Sequence, residues 1–159
     1  MISKDNSIFA CNRILKVCLL LIAWGISVLI LYASIEADYE AKIVDLAENG
    51  LASSISSFNA FADMGYNEDY YSGVASFKHY VETISCYESQ NGYQSVAAYS
   101  EGIKIIGIFI NNPECAKEHM QDVVGTLNAV CDDITSADVH LRLAELKNIL
   151  IEKGSFDND

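Results

Sequence analysis

The sequence predicts an all-α protein: a single N-terminal transmembrane helix followed by an up-and-down bundle of four to five antiparallel helices. Three observations lead there. Residues 17–35 contain no charged side chain. The sequence that follows repeats apolar residues at steps of three and four, the period of a helix with one buried face. One proline in 159 residues favours long uninterrupted helices over a turn-rich β-fold. With 51% of its residues hydrophobic, the chain can build a core and is no disordered tail.

The uncharged stretch, VCLLLIAWGISVLILYASI, is closed by Lys16 and Glu36. At ~1.5 Å per residue it covers ~28 Å, the thickness of a bilayer's hydrocarbon core. In that medium each backbone N–H and C=O needs an internal partner, so the stretch must be helical. Lys4, Arg13 and Lys16 precede it against Asp5, whereas Glu36, Asp38, Glu40 and Asp45 follow it against Lys42. Basic flanks stay cytoplasmic. The expected division is a cytoplasmic segment at 1–16, an anchor at 17–35, an extracytoplasmic helical bundle at 36–154 on the outer face of the plasma membrane, and a frayed tail at 155–159. Secretion after signal cleavage is the alternative. It is disfavoured by the length of the apolar run and by Ile35 and Ala37 at the positions where a cleavage site wants small residues. Ala23 and Ser27 form one small-xxx-small step.

Beyond the span, Val44, Ala47, Leu51, Ile55 and Phe58 mark the inner face of a helix continuous with the span from about residue 8 to 62. Gly65 is its stop, and Asn67 caps the next helix. That second helix, about 68–86, carries Tyr70, Val74, Phe77, Val81 and Ile84 on one stripe. Ser89-Gln-Asn-Gly92 is a turn. A third helix, about 93–111, is read with Val96, Tyr99, Ile103, Ile106 and Ile110 as its seam; its β-branched segment IKIIGIFI would also suit a strand, but a lone strand has nothing to pair with. Asn112, Pro113 and Glu114 are start signals for a fourth helix running to about Cys131, with Ala116, Met120, Val123, Leu127 and Val130 inside. Thr135 or Ser136 caps a fifth, with Val139, Leu143, Leu146 and Leu150 inside and Gly154 as its stop.

Charge narrows the function classes. Of ten Lys and Arg, all but Lys4, Arg13 and Lys16 follow the span, leaving seven against 21 Asp and Glu once Asp5 is set aside, a net charge of −14. Such a domain repels phosphate backbones and anionic lipids, which excludes nucleic acid as a partner. No phosphate loop, nucleophile elbow or His-Glu-x-x-His occurs, so the expectation is non-enzymatic, without cofactor. Cys115 and His119 share a helix face, yet two ligands make no closed metal site. The acidic loops around Asp63 and Asp132 lack calcium-loop spacing. No metal is expected.

Three cysteines lie beyond the span. Cys115 and Cys131 would be ~24 Å apart along one continuous helix, too far to bridge. Cys86 and Cys131 each end a returning helix, so the expected disulfide is Cys86–Cys131 with Cys115 left unbridged. Tyr66, Tyr70 and Tyr71 cluster at the first turn, at the membrane-distal end of the expected bundle, as a candidate interaction patch. The functional expectation is a membrane-anchored extracytoplasmic module acting through protein–protein contacts at the cell envelope, with an envelope partner or self-association. The alternatives are a ligand-sensing ectodomain signalling through a partner in trans and a pilin-like filament subunit. A thiol enzyme using Cys115 ranks last.

Overall fold

The computed structural model of the chain describes residues 4–91, 93–136 and 138–154. All regular structure among them is helical, with no strand: α1 (Lys4–Met64), α2 (Asn67–Asn91), α3 (Tyr93–Asn111), α4 (Pro113–Glu118), α5 (Met120–Cys131) and α6 (Val139–Gly154). The expected tail at 155–159 and the turn position Gly92 lie outside the described residues. The chain divides into two units, Met1–Glu40 and Ala41–Asp159.

The first unit is the apolar part of α1. Leu20, Trp24 and Leu29 each leave about 70% of their surface open, as a single span or signal anchor would outside a bilayer. Ser27 Oγ donates to the Ala23 carbonyl at 2.9 Å, which satisfies the one hydroxyl at the centre of the run within its own helix.

The second unit is built on one hydrophobic core. Ala47, Leu51, Ile55 and Phe58 of α1 and Tyr70, Val74, Phe77, Val81 and Ile84 of α2 lie in it, as their spacing predicts. Polar and small residues bring these two helices together. Ser54 Oγ donates to the Gly73 carbonyl at 2.9 Å, Ser53 meets Ser76 at 3.2 Å and Ser57 meets Ser72 at 3.3 Å. The rising and falling numbers make the pair antiparallel. At the same seam a Cβ on Gly50 would stand 3.3 Å from the Tyr80 nitrogen. Small side chains here let the two backbones approach closely.

Three expectations are corrected. The first concerns α3, whose buried residues are Ala98, Ile105, Ile106 and Phe109, while Val96, Tyr99, Ile103 and Ile110 are 58%, 37%, 42% and 62% exposed. The seam is rotated because Gly102, not a large residue, faces Val81 of α2: a Cβ at 102 would come within 2.6 Å of Val81 Cγ2. The second is the expected fourth helix, which breaks at His119, where φ −105 and ψ 26 lie in the bridge region. No Gly or Pro marks the place; the bend lets Cys115 and Ala116 before it and Met120 and Val123 after it all reach the interior. The described helices therefore number six rather than four or five. The third is the expected fifth helix, which starts at Val139, later than its signals implied, with Ser136 Oγ accepting the Asp138 N–H at 3.3 Å.

Between α3 and α6, Glu101 accepts from Lys104 at 2.7 Å and from Lys147 at 2.6 Å. The Lys104 hydrogen bond, then that of Lys147, holds the Glu101 carboxyl below its ordinary 4.5. A depressed carboxylate contributes stability that is present above the ordinary value and lost as pH falls through the folded value. Thermal unfolding of wild type and Glu101→Gln should thus differ at neutral pH and converge in acid. The neutral difference should be about 1 kcal/mol, because part of each side chain is still open to water. Parallel pH profiles would show that the triad contributes nothing.

Candidate interaction surface

The end of the second unit where α1 stops is organised by Gly65. Its φ of 74 is the left-handed region that glycine adopts without strain, and its N–H bonds the Phe61 carbonyl at 2.7 Å, closing α1 in an αL cap. The chain reverses there. The Tyr66 carbonyl takes the N–H groups of Asp69 and Tyr70, and Glu68 and Asp69 place negative charge in the first turn of α2, where the helix dipole favours it.

The three tyrosines of this turn separate. Tyr66 and Tyr71 are 62% and 56% exposed, next to Met64 at 66%. Tyr70 is fully buried and leaves the candidate patch, because its position on the α2 stripe turns it into the core. Its ring lies 5.5 Å from Phe61, 6.0 Å from Phe58 and 6.4 Å from Phe109, and its hydroxyl donates to the Phe109 carbonyl at 2.9 Å. Burial, ahead of the charges of Tyr71 and Glu114, pushes its ionisation far above the ordinary value.

Beside the turn lies an open cleft of about 600 Å³ lined by Phe61, Ala62, Gly65 and residues 117–122. The break at His119 shapes its far wall. Lys117 Nζ is fixed there by Asn67 Oδ1 and Glu114 Oε1, both at 2.9 Å, and sits 5.2 Å from the Tyr70 ring centroid. From α6, Lys153 Nζ reaches Asp122 Oδ2 at 2.8 Å and His119 Nδ1 at 3.4 Å. Phe61, Ala62, Gly65 and Met120 thus share the lining with Lys117, Glu118, His119, Gln121 and Asp122, of which Lys117 and Asp122 are held in ion pairs.

The other expected site residues do not converge on this surface. Cys115 Sγ is buried and donates to the Leu150 carbonyl at 3.3 Å, while His119 turns to Asp122 and Lys153. Among the described residues no three His, Cys, Asp or Glu side chains gather as a metal site requires. Nor do any two described cysteines stand at disulfide distance, so the expected Cys86–Cys131 bridge is not formed. Sharing an end of the unit is not sharing a side of it. The charge of Glu48 bears on the Cys131 thiol, and Glu48 lies about 200° around α1 from Gly50, the edge that faces α2 and hence Cys86. Burial, then Glu48 and Asp132, raise the Cys131 thiol above its ordinary value, which keeps it protonated and a poor nucleophile at neutral pH.

Sequence reasoning reached Tyr66 and Tyr71 but missed the cleft. Lys117 follows Glu114 by three residues, a readable helical pair, but its contact with Tyr70 is purely tertiary. Comparison with known protein families, curated proteins and solved structures finds no match for this chain.

Proposed function

We propose that the chain is a membrane-anchored, non-enzymatic module, an up-and-down bundle carried on the outer face of the membrane by residues 17–35, that binds an envelope protein through the Met64–Tyr66–Tyr71 end. The observation that carries this reading is the exposure of three large side chains at one turn, Met64, Tyr66 and Tyr71, each more than half open. In a domain of net charge −14, solubility is supplied elsewhere, so exposed aromatics at one end favour a contact surface. The paired charges of Lys117 and Asp122 beside this turn would fix the register of the partner rather than supply its affinity. Anchoring is supported by the uncharged run and its basic flank, and protease added to intact cells should remove the domain and leave a membrane stub.

The contact is tested by photocrosslinking groups placed at positions 66 and 71 in the full chain, with position 46, where Leu46 is 52% exposed, as the control. The expected result is one discrete adduct from 66 and 71 and none from 46. The double variant Tyr66→Ser/Tyr71→Ser should lose that adduct from a probe at position 64, with a melting temperature changed by less than a few degrees. Adducts that do not depend on position, or a collapse of stability in the double variant, would remove the surface.

A further inference from the structure

We propose, resting on the reading of the chain as membrane-tethered, that the outward face of α3 receives a second copy of this chain, α3 packing against α3. Val96, Tyr99, Ile103 and Ile110 form a continuous stripe at helical spacing that no described residue covers to more than about two thirds. Gly107 lies on the same side of the helix, between Ile103 and Ile110, and a Cβ there would meet no atom within 4 Å. A mid-helix glycine weakens a helix, and among the described residues none occupies the space that a Cβ at 107 would take. Opposite another helix, however, it permits close backbone approach.

Charge decides for a second copy. The domain is strongly acidic, so most of its surface repels an identical neighbour. α3 is the exception: its charged residues are Glu101 and Lys104, and Glu101 is held by Lys104 and Lys147. Two copies can therefore meet here without like-charge opposition. Beside the stripe, Ser100 is uncharged and Lys104 is already engaged by Glu101 at 2.7 Å, which leaves little charge there to select a different partner, whereas a two-fold pairing matches the stripe to itself. Area sets the strength. Four large side chains about half exposed offer on the order of 400 Å² per copy. Two copies bury roughly twice that, short of the ~1,200 Å² of stable free dimers. Pairing is therefore weak in solution and gains occupancy when both copies are confined to one membrane, where the second contact is made at high effective concentration.

The test is energy transfer between donor- and acceptor-labelled full-length chains in phosphatidylcholine vesicles at low protein-to-lipid ratio, after flotation to confirm incorporation. Wild type should show transfer above random proximity. Ile103→Glu/Ile110→Glu should raise the apparent dissociation constant about tenfold or more, since each pairing would bury unpaired carboxylates. Gly107→Leu, which adds a side chain only to open space within one copy, should weaken it similarly by wedging the helices apart, and covers the case in which the double variant misfolds. Chains that float but remain monomeric overturn the pairing and leave the anchor standing, as does transfer undiminished in a folded variant, which would assign association to the Ala23–Ser27 stretch or another face. Chains that fail to float overturn the anchor and the pairing with it.

Discussion

Removing the Phe58 ring is expected to cost the helical unit about 3–5 kcal/mol, the range for a large aromatic deleted from a closed interior. Phe58 is fully buried and meets Phe109 edge-on at 5.5 Å and Tyr70 at 6.0 Å. It also explains Gly73. A Cβ at 73 would stand 2.5 Å from both Cδ1 and Cε1 of the ring, which Tyr70 and Phe109 also pack against. Gly73→Ala should therefore destabilise by about 1–3 kcal/mol through overpacking, although alanine is the better helix former by about 1 kcal/mol. Once Phe58→Ala has opened the site, the same Gly73→Ala change meets empty space and should become neutral or stabilising. Denaturant unfolding of the chain in micelles, run as a double-mutant cycle, checks this. Costs that simply add, or a single Gly73→Ala variant as stable as wild type, would mean that the ring does not hold that space.

The limits of the sequence reading follow from the same residues. In α1 and α2 the apolar stripe is opposed by polar and charged residues, so the buried face could be read: Leu51 and Phe58 against Asp45 and Asn49, Phe77 and Val81 against Glu68 and His79. α3 offers no such contrast. Ile103, Ile105, Ile106, Ile108 and Ile110 surround the helix, and the face that packs was chosen by the absence of a side chain at Gly102, which hydrophobic spacing does not register. Gly50 and Ser54 were invisible for a similar reason, since they enter the α1–α2 contact by being small. The bend at His119, which makes the cleft, has no breaker in the sequence. For the tyrosines the stripe was a sound guide, because Tyr70 lies on it and Tyr66 and Tyr71 do not. The cysteine expectation failed because helix direction was used to place residues at one end, and direction says nothing about which side of α1 a neighbour occupies.

Tyr70→Phe is expected to destabilise the unit by about 1–3 kcal/mol, with an effect that disappears in strong alkali. The reason lies in the chain chemistry of α3. A helical carbonyl bonds the N–H four residues on, and for Phe109 that residue is Pro113, which has no N–H. The preceding carbonyl, Ile108, is satisfied by the Asn112 N–H at 2.8 Å. Phe109 is instead served by the Tyr70 hydroxyl at 2.9 Å, a bond spanning 39 residues. Phenylalanine keeps the ring contacts and removes only the donor, leaving a buried acceptor unsatisfied at the cost of its desolvation. The same bond fixes the pH dependence. Burial raises the folded ionisation of Tyr70 above its ordinary 10.0, so the folded state holds this proton more tightly than the unfolded chain. Its contribution is complete below pH 10 and declines as pH rises from there toward the folded value. Melting temperatures of wild type and Tyr70→Phe should be separated at pH 7 to 9 and approach each other above pH 10, the wild type falling the more steeply. A constant separation across that range would show that the hydroxyl ionises no differently in the folded and unfolded chains. No separation at neutral pH would mean that water or another donor already serves the Phe109 carbonyl.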